Sequence, residues 1–148
     1  AMNEKFTNWI EVGASTRFKK AKLYKGVYVL RDGLAADFSN HGDKMVDVFA
    51  PGHDIYSTVP QSKYDVYDGT SMAGPMVAGV AALLKSYFND LTMFEIREII
   101  LASVQKIDRT TPLPGDPTKA VTFDELCVTG GIVNVWNAVE MAENYKQK

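Results

Sequence analysis

Short apolar runs separated by turn residues occupy the first part of the chain, and this pattern predicts β-strands. The run NWIEVGAS ends in Gly-Ala and polar residues, as a buried strand does where it leaves a sheet. A Pro-Gly turn separates two later runs, and a last run leads into the turn before Ser71. Strands are predicted at 8–15, 46–50, 55–59 and 63–69, and a strand or hairpin at 21–33.

The spacing of apolar residues changes to a helical period between Ser71 and Phe88. Apolar residues lie on almost every side of this helix, which predicts that it is buried rather than amphipathic. Pro75 falls in the first turn, where the N–H that proline lacks would have no partner in the helix.

Two further helices are predicted downstream. The first covers 91–105, with Thr92 as N-cap and Glu95 completing a capping box, and its single apolar stripe is typical of a surface helix. The second is an amphipathic helix near the end of the chain, with Asn134 as its cap. The proline-rich stretch 109–120 between them is predicted to be a loop. Strands followed by helices in this way favour an α/β fold.

Composition narrows the classes of function. The 148 residues fit one domain, and the net charge of −2 gives no electrostatic reason to expect nucleic acid or an anionic membrane as a partner. No apolar run approaches the roughly 20 residues that span a bilayer. A single cysteine, Cys127, excludes both an internal disulfide framework and a cysteine-built metal site.

The stretch DGTSMAGPMVAGVAA, from Asp68 to Ala82, places Ser71 at the start of the apolar helix. A lone serine at such a position is most often an N-cap. Here Gly69 permits backbone conformations closed to other residues, and small residues keep the first helical turns narrow, so a substrate could approach closely. The free N–H groups at a helix start would also stabilise an oxyanion. A nucleophile elbow of the esterase type fits less well, because Ala73 replaces its second glycine.

The segment GTSMAGPMVAG resembles the nucleophile motif of the subtilisin-like serine proteases, the subtilases. NWIEVGAS, ADFSNHG, VDVFAPGHDIYST and GGIVNVWNAVEMA resemble further family segments in the family's order, and the similarity extends over about residues 6–145. Only Lys19 to Arg31 resembles an insertion. The resemblance implies an α/β/α fold with a mainly parallel sheet, of which 1–148 is the C-terminal part. It implies that Ser71 is catalytic, supported by Gly69, Thr70 and Met72.

The resemblance also implies that the groups activating Ser71 are not in this sequence. A serine hydroxyl is a weak nucleophile until a base takes its proton. The family's Asp, His and oxyanion Asn belong to segments upstream of the part that this chain resembles. His41 lies too close to Ser71 for the family's order, and His53 occupies a variable position. We therefore expect both to be surface loop histidines, and we expect Asp37, Asp47, Asp54 and Asp65 to be turn and strand-end residues.

The resemblance implies no organic cofactor. Calcium is common in subtilases, but neither a metal-ligand spacing nor an Asp-rich loop lets a metal site be placed in this sequence. Peptides or proteins are the implied substrates, and an extracellular or cell-envelope location is implied, although the first residues show no signal-peptide pattern.

Two hypotheses follow for the function. The first is the C-terminal part of a subtilisin-like endopeptidase that is inactive alone; the alternative is a catalytically dead subtilase-like module used for assembly or binding. A part of a parallel sheet would expose an edge strand and an apolar face, so we expect this chain to self-associate.

Overall fold

A computed structural model describes residues 8–17, 22–24, 27–29 and 34–145 of the chain. The described strands, in chain order, are β1 Val12–Ser15, β2 Lys22–Tyr24, β3 Val27–Val29, β4 Val48–Pro51, β5 Ile55–Val59, β6 Lys63–Tyr67, β7 Gln105–Lys106, β8 Thr111–Leu113, β9 Asp116–Val121 and β10 Gly131–Ile132. The described helices are α1 Thr70–Tyr87, α2 Met93–Ala102, α3 Phe123–Leu126 and α4 Val135–Tyr145.

The central sheet has four strands in the order β1-β4-β10-β7. Strand β4 pairs in parallel with both β1 and β10, and only the β10–β7 pair is antiparallel. The predicted α/β fold with a mainly parallel sheet is therefore confirmed. Three antiparallel hairpins, β2–β3, β5–β6 and β8–β9, form separate two-stranded sheets. The β2–β3 hairpin agrees with the prediction for 21–33, whose other residues lie outside the described part.

Alternating residues of β4 face two separate apolar clusters. Val48 and Ala50 belong to the cluster formed with α1, α2 and α4, which also buries Ile96, Ile99 and Ile100 of α2. The buried stripe of α2 is the one that its sequence predicts, because apolar residues three and four positions apart share one face of a helix.

Phe49, between those two residues of β4, faces the second cluster. Its ring meets Phe123 of α3 edge to face, with ring centres 5.3 Å apart. Cys127 is fully buried in the same cluster, and loss of solvent raises the pKa of its thiol, which keeps it in the unreactive protonated form. The sheet thus has helices on both faces, although α3 has only four residues.

The capping predictions are confirmed. The Glu95 N–H donates to Thr92 Oγ1 at 3.2 Å, and the Thr92 N–H donates to Glu95 Oε2 at 2.7 Å. Before α4, the Asn137 N–H donates to Asn134 Oδ1 at 3.1 Å. These side chains satisfy N–H groups that have no partner within a helix.

The prediction of a loop over 109–120 is wrong, because this stretch forms the β8–β9 hairpin. Thr111 pairs with Val121, and Pro112 pairs with Ala120. Prolines are compatible with a two-stranded hairpin, since half of its backbone N–H groups point away from the partner strand and need no acceptor there. The prolines are therefore consistent with edge strands and do not indicate that a strand is absent.

The prediction that α1 is buried on all sides is also wrong. Ala73, Val77 and Leu84 are buried against the sheet, whereas Leu83 and Tyr87 are exposed. The described neighbours of α1 are β1, β4, α2 and α4, and they cover one side of the helix. The opposite side is apolar but faces solvent. Among the described residues, no helix is both long and apolar enough to cross a bilayer.

A buried ion pair joins α2 to the beginning of the sheet. Asp47, just before β4, is 1% exposed, and its Oδ2 accepts the Glu11 N–H at 2.9 Å. Arg97 Nη2 lies 3.6 Å from Asp47 Oδ1, and Arg97 Nε donates to the Trp9 carbonyl at 2.8 Å. The pair therefore fixes the position of α2 relative to the chain that enters β1 and β4.

We predict that Asp47→Ala lowers the free energy of unfolding by about 3 kcal/mol, because it leaves the partly buried Arg97 guanidinium without this partner. The matched control is Asp124→Ala, which removes a largely exposed carboxylate 3.9 Å from Lys106 and should cost less than about 1 kcal/mol. Urea unfolding measures both changes. Equal effects of the two substitutions would contradict this account.

Candidate active site

Three backbone segments meet at the carboxyl ends of β1 and β4. The Gly52 N–H donates to the Ser15 carbonyl at 3.0 Å, and the Gly52 carbonyl accepts the Gly69 N–H at 2.8 Å. A Cβ on Gly52 would lie 2.7 Å from both the Ala14 Cβ and the Gly69 carbonyl oxygen. Real Cβ atoms essentially never come this close to other atoms, so this packing requires glycine at position 52.

The hairpin β5–β6 lies between these two glycines in the chain. Its strands pair from Ile55 with Tyr67 to Val59 with Lys63, so the chain leaves the sheet and returns to the same place. The returning end is held by the Gly69–Gly52 hydrogen bond and by the Asp54 N–H, which donates to Asp68 Oδ1 at 2.6 Å. The hairpin therefore places the start of α1 next to the carboxyl ends of β1 and β4.

Ser71 is the second residue of α1, not its N-cap. The N-cap is Gly69, with a φ of 155°, and no side chain caps the helix there. The N–H groups of Met72 and Ala73 donate to the Gly69 carbonyl at 3.0 and 3.3 Å. The interpretation of Ser71 as a simple capping residue is therefore wrong, and its exposed side chain lies in the first turn of the helix.

A cleft of about 770 Å³ opens beside Ser71. Its walls come from the entry to β1, around Trp9 to Val12, from the loop Ser39 to His41, and from the first turn of α1. Gly74 also lines the cleft, where it presents only backbone atoms. A space of this volume is within the usual size range of ligand clefts in proteins.

The outer edge of β1 borders this cleft. The Ala14 N–H donates to Ser39 Oγ at 2.8 Å, and the Ala14 carbonyl accepts the Ala36 N–H at 2.9 Å, so the backbone of Ala14 points away from β4. Backbone groups two residues apart in a strand point to the same side, which places those of Val12 at this outer edge. Val12 lines the cleft, so the edge is open towards it.

The sequence-predicted residues Gly69, Thr70, Ser71 and Met72 lie together at the start of α1, as their positions in one motif require. His41 is exposed, as predicted, and lines the same cleft as Ser71. Its Nδ1 lies 3.5 Å from the Ser39 carbonyl. Within the described part of the chain, no hydrogen bond joins Ser71 to a histidine or a carboxylate.

The prediction that His53 is a surface residue is wrong, because the residue is only 7% exposed. Its ring stacks on Phe38, with centres 5.9 Å apart and planes at 14°. The Nδ1 atom lies 3.6 Å from Asp54 Oδ2 and 3.9 Å from Asp68 Oδ1. A local turn pattern does not show this burial, since Phe38 and the hairpin ends come from distant positions in the sequence.

One group among the described residues has a geometry that could hold a metal ion; it consists of His53, Asp54 and Asp68. The spacing of these residues in the sequence did not reveal it. One imidazole and two carboxylates do not match the six to eight oxygen ligands that calcium takes. This group therefore does not fit the calcium that the family resemblance makes possible.

Comparisons with known proteins identify the relatives of this chain. A family model described as the subtilase family matches residues 1–124. A thermophilic serine proteinase of Bacillus sp. (strain AK1) is 45% identical over 103 residues, covering 66% of this chain and 24% of that protein. The major intracellular serine protease of Bacillus subtilis (strain 168) is 44% identical over 78 residues, covering 53% of this chain and 24% of that protein.

Solved structures extend the similarity over most of the chain. A chain from the structure of the subtilase cytotoxin SubAB assembly superposes with a TM-score of 0.67 at 26% identity, covering 93% of this chain and 38% of that one. The patellamide maturation protease PatA superposes with a TM-score of 0.61 at 27% identity, covering 90% and 42%. This chain thus spans less than half the length of these relatives.

We predict that Gly52→Ala lowers the free energy of unfolding by about 1–3 kcal/mol, because the added methyl group forces Gly69 away from the sheet. The matched control is Gly79→Ala in α1, where a Cβ meets nothing within 4 Å and should stabilise the helix by up to about 1 kcal/mol. Thermal unfolding of both variants provides the measurement. A Gly52→Ala chain as stable as the wild type would rule out the tight contact.

Proposed function

Because the chain belongs to the subtilase family, we propose that it is the C-terminal part of a subtilisin-like serine endopeptidase domain whose nucleophile is Ser71. The observation that carries this proposal is the position of Ser71. Its exposed hydroxyl lies in the first turn of a helix at the carboxyl ends of parallel strands, beside a cleft large enough for a peptide segment.

In the proposed reaction, Ser71 Oγ attacks the carbonyl carbon of a peptide bond while a histidine takes the hydroxyl proton. The carbonyl oxygen becomes an oxyanion in a tetrahedral intermediate. The C–N bond then breaks, the amine leaves with the proton, and water hydrolyses the remaining ester at Ser71. The Ser71 N–H supports the oxyanion, because Met72 and Ala73 already donate to Gly69 whereas the preceding N–H groups have no acceptor within the helix.

The residues around Ser71 have separate roles in this proposal. Gly69 turns the chain from the hairpin into α1, with its N–H held by Gly52. Thr70 and Met72 flank the nucleophile and set its orientation in the first turn. The described residues supply no base in contact with Ser71, so the proton acceptor comes from a segment that the longer relatives possess and this chain does not contain. We propose that the 148-residue chain alone is inactive.

The test requires the longer protein that carries this chain. Wild type should hydrolyse an unfolded protein substrate and label at Ser71 with a fluorophosphonate probe. Ser71→Ala should lower the rate by at least about a thousandfold, because no acyl-enzyme can form. His41→Gln is the matched control: it removes the histidine that lines the same cleft, and it should keep the activity.

Each outcome separates the candidate functions. Activity that survives Ser71→Ala would refute the role of Ser71, and activity lost in His41→Gln would make His41 the base. A folded, longer protein that is neither active nor labelled would support the alternative, a catalytically dead module used for assembly or binding.

The implied location is part of the same proposal. We place the protein outside the cell or at the cell envelope, on the family resemblance alone. Two relatives, from Paenibacillus polymyxa and Bacillus subtilis, have the word intracellular in their names. Cell fractionation with an antibody to the chain distinguishes the two locations.

We further propose that the isolated chain self-associates through the uncovered side of α1. Leu83 and Tyr87 are 38% and 78% exposed there, and the open edge of β1 lies near the same helix. Such surfaces bind a second copy when nothing else covers them.

Light scattering at high concentration should give a mass above that of one chain, and Leu83→Lys with Tyr87→Lys should shift it towards the monomer. Tyr64→Lys, on the exposed β5–β6 hairpin, is the control and should leave the mass unchanged. A monodisperse wild-type monomer would contradict the proposal.

A further inference from the structure

Three potential metal ligands converge where the β5–β6 hairpin joins the sheet. His53 Nδ1, one Asp54 carboxylate oxygen and one Asp68 carboxylate oxygen all lie within 4.8 Å of one another. Asp54 and His53 precede β5, whereas Asp68 follows β6, so the closing of the hairpin brings them together. The group is separate from the cleft beside Ser71, since none of its members lines that cleft.

Contacts with the surroundings hold two of these side chains, those of His53 and Asp68. The buried His53 ring stacks on Phe38, which holds its plane. The Asp54 N–H donates to Asp68 Oδ1 at 2.6 Å, which holds the Asp68 carboxylate. The Asp54 and Asp68 side chains are 25% and 47% exposed, so an ion has access from solvent. Two of the three ligands are therefore held in place before an ion binds.

The separations fit ligands of one ion better than they fit direct contacts. Nδ1 lies 3.6 Å from Asp54 Oδ2 and 3.9 Å from Asp68 Oδ1. Hydrogen bonds with a nitrogen donor are roughly 2.7–3.2 Å long. Two ligands at tetrahedral angles, each about 2.1 Å from a metal ion, lie roughly 3.4 Å apart. The two His53 separations exceed this value by a few tenths of an ångström, and the Asp54 and Asp68 carboxylate oxygens lie within 4.8 Å of each other, so rotation of these partly exposed carboxylates would complete such a site.

We propose that His53, Asp54 and Asp68 bind one divalent transition-metal ion, with Zn²⁺ as the representative ion. A neutral imidazole nitrogen suits zinc and its neighbours in the first transition row, whereas calcium prefers oxygen ligands in larger number. Two ionised carboxylates neutralise the charge of the ion. Water occupies the remaining position, since three protein ligands leave one corner of a tetrahedron open.

The bound ion would connect both ends of the hairpin directly before α1. Asp68 adjoins Gly69, whose N–H is already held by the Gly52 carbonyl, so the ion would strengthen the attachment of the segment that leads to Ser71. Zinc should therefore raise the melting temperature of the chain. The proposal concerns metal binding and stability, and it does not rest on the proposed peptidase activity.

The experiment is isothermal titration of the 148-residue chain, free of any polyhistidine tag, with ZnCl₂, together with Co²⁺ absorption spectra that report tetrahedral ligation. The wild type should bind one ion per chain. Asp68→Asn and His53→Gln should each weaken binding at least tenfold and abolish the rise in melting temperature. The matched controls are Asp65→Asn, on the exposed face of the hairpin, and His41→Gln, an exposed histidine; both should bind as the wild type does.

Circular dichroism shows whether each variant is folded. If the buried His53 variant is unfolded, Asp68→Asn decides the question, because that carboxylate is half exposed. Absence of zinc and cobalt binding in the wild type would overturn the proposal. Binding that persists in Asp68→Asn would overturn the ligand set, and binding of Ca²⁺ in preference to Zn²⁺ would overturn the assignment to a transition metal.

Discussion

The hydrogen bond from the Gly69 N–H to the Gly52 carbonyl, 2.8 Å long, is the contact on which the arrangement of the candidate site depends. It joins the end of a sheet strand to the beginning of α1 across the whole β5–β6 hairpin. The absence of a side chain at Gly52 makes the contact possible, since a Cβ there would collide with the Gly69 carbonyl. Two residues later, the chain presents the Ser71 hydroxyl to solvent. The position of that serine is therefore set by backbone packing.

The open surfaces around this junction lie next to one another. The open edge of β1, the cleft beside Ser71 and the groove that continues between β1, α1 and α2 adjoin one another. An apolar helix side that faces water and an open part of a strand edge, such as that at Val12 of β1, are both unfavourable in an isolated chain. The longer relatives possess additional chain, and a subtilisin-like reaction needs additional groups. If the proposed function is correct, one additional segment could both cover these surfaces and supply those groups.

Much of the fold could be predicted from the sequence because its signals are local. The strand at 55–59 and the capping interactions of Thr92 and Asn134 depend on neighbouring residues alone. Strands β7 and β10 have two residues each, which is too short for any periodic pattern. The apolar pattern of α1 predicts a helix that is covered on all sides. In the described part of the chain, only one side of this helix is covered by other elements. The burial of His53 depends on Phe38 and on the hairpin closing, which no local pattern contains.

At the candidate site, the role of Ser71 stays a prediction that rests on its sequence motif. The motif identified the position of Ser71, and the structure added the reason for it, which is the close approach of Gly52 and Gly69. The group formed by His53, Asp54 and Asp68 was not predictable, because its members meet only after the hairpin forms. Sequence spacing can reveal a site whose ligands lie in one helix, strand or loop. It does not reveal a site whose ligands come from the two ends of a hairpin.

Amide hydrogen exchange at Gly69, followed by NMR, tests the central claim most directly. If the Gly52 carbonyl holds this N–H, Gly69 should exchange as slowly as the amides of the buried strand β4, although the hairpin before it is exposed. Exchange at Gly69 as fast as at exposed residues of β6 would show that α1 is not anchored to the sheet at this point, and it would contradict the account of how Ser71 is positioned.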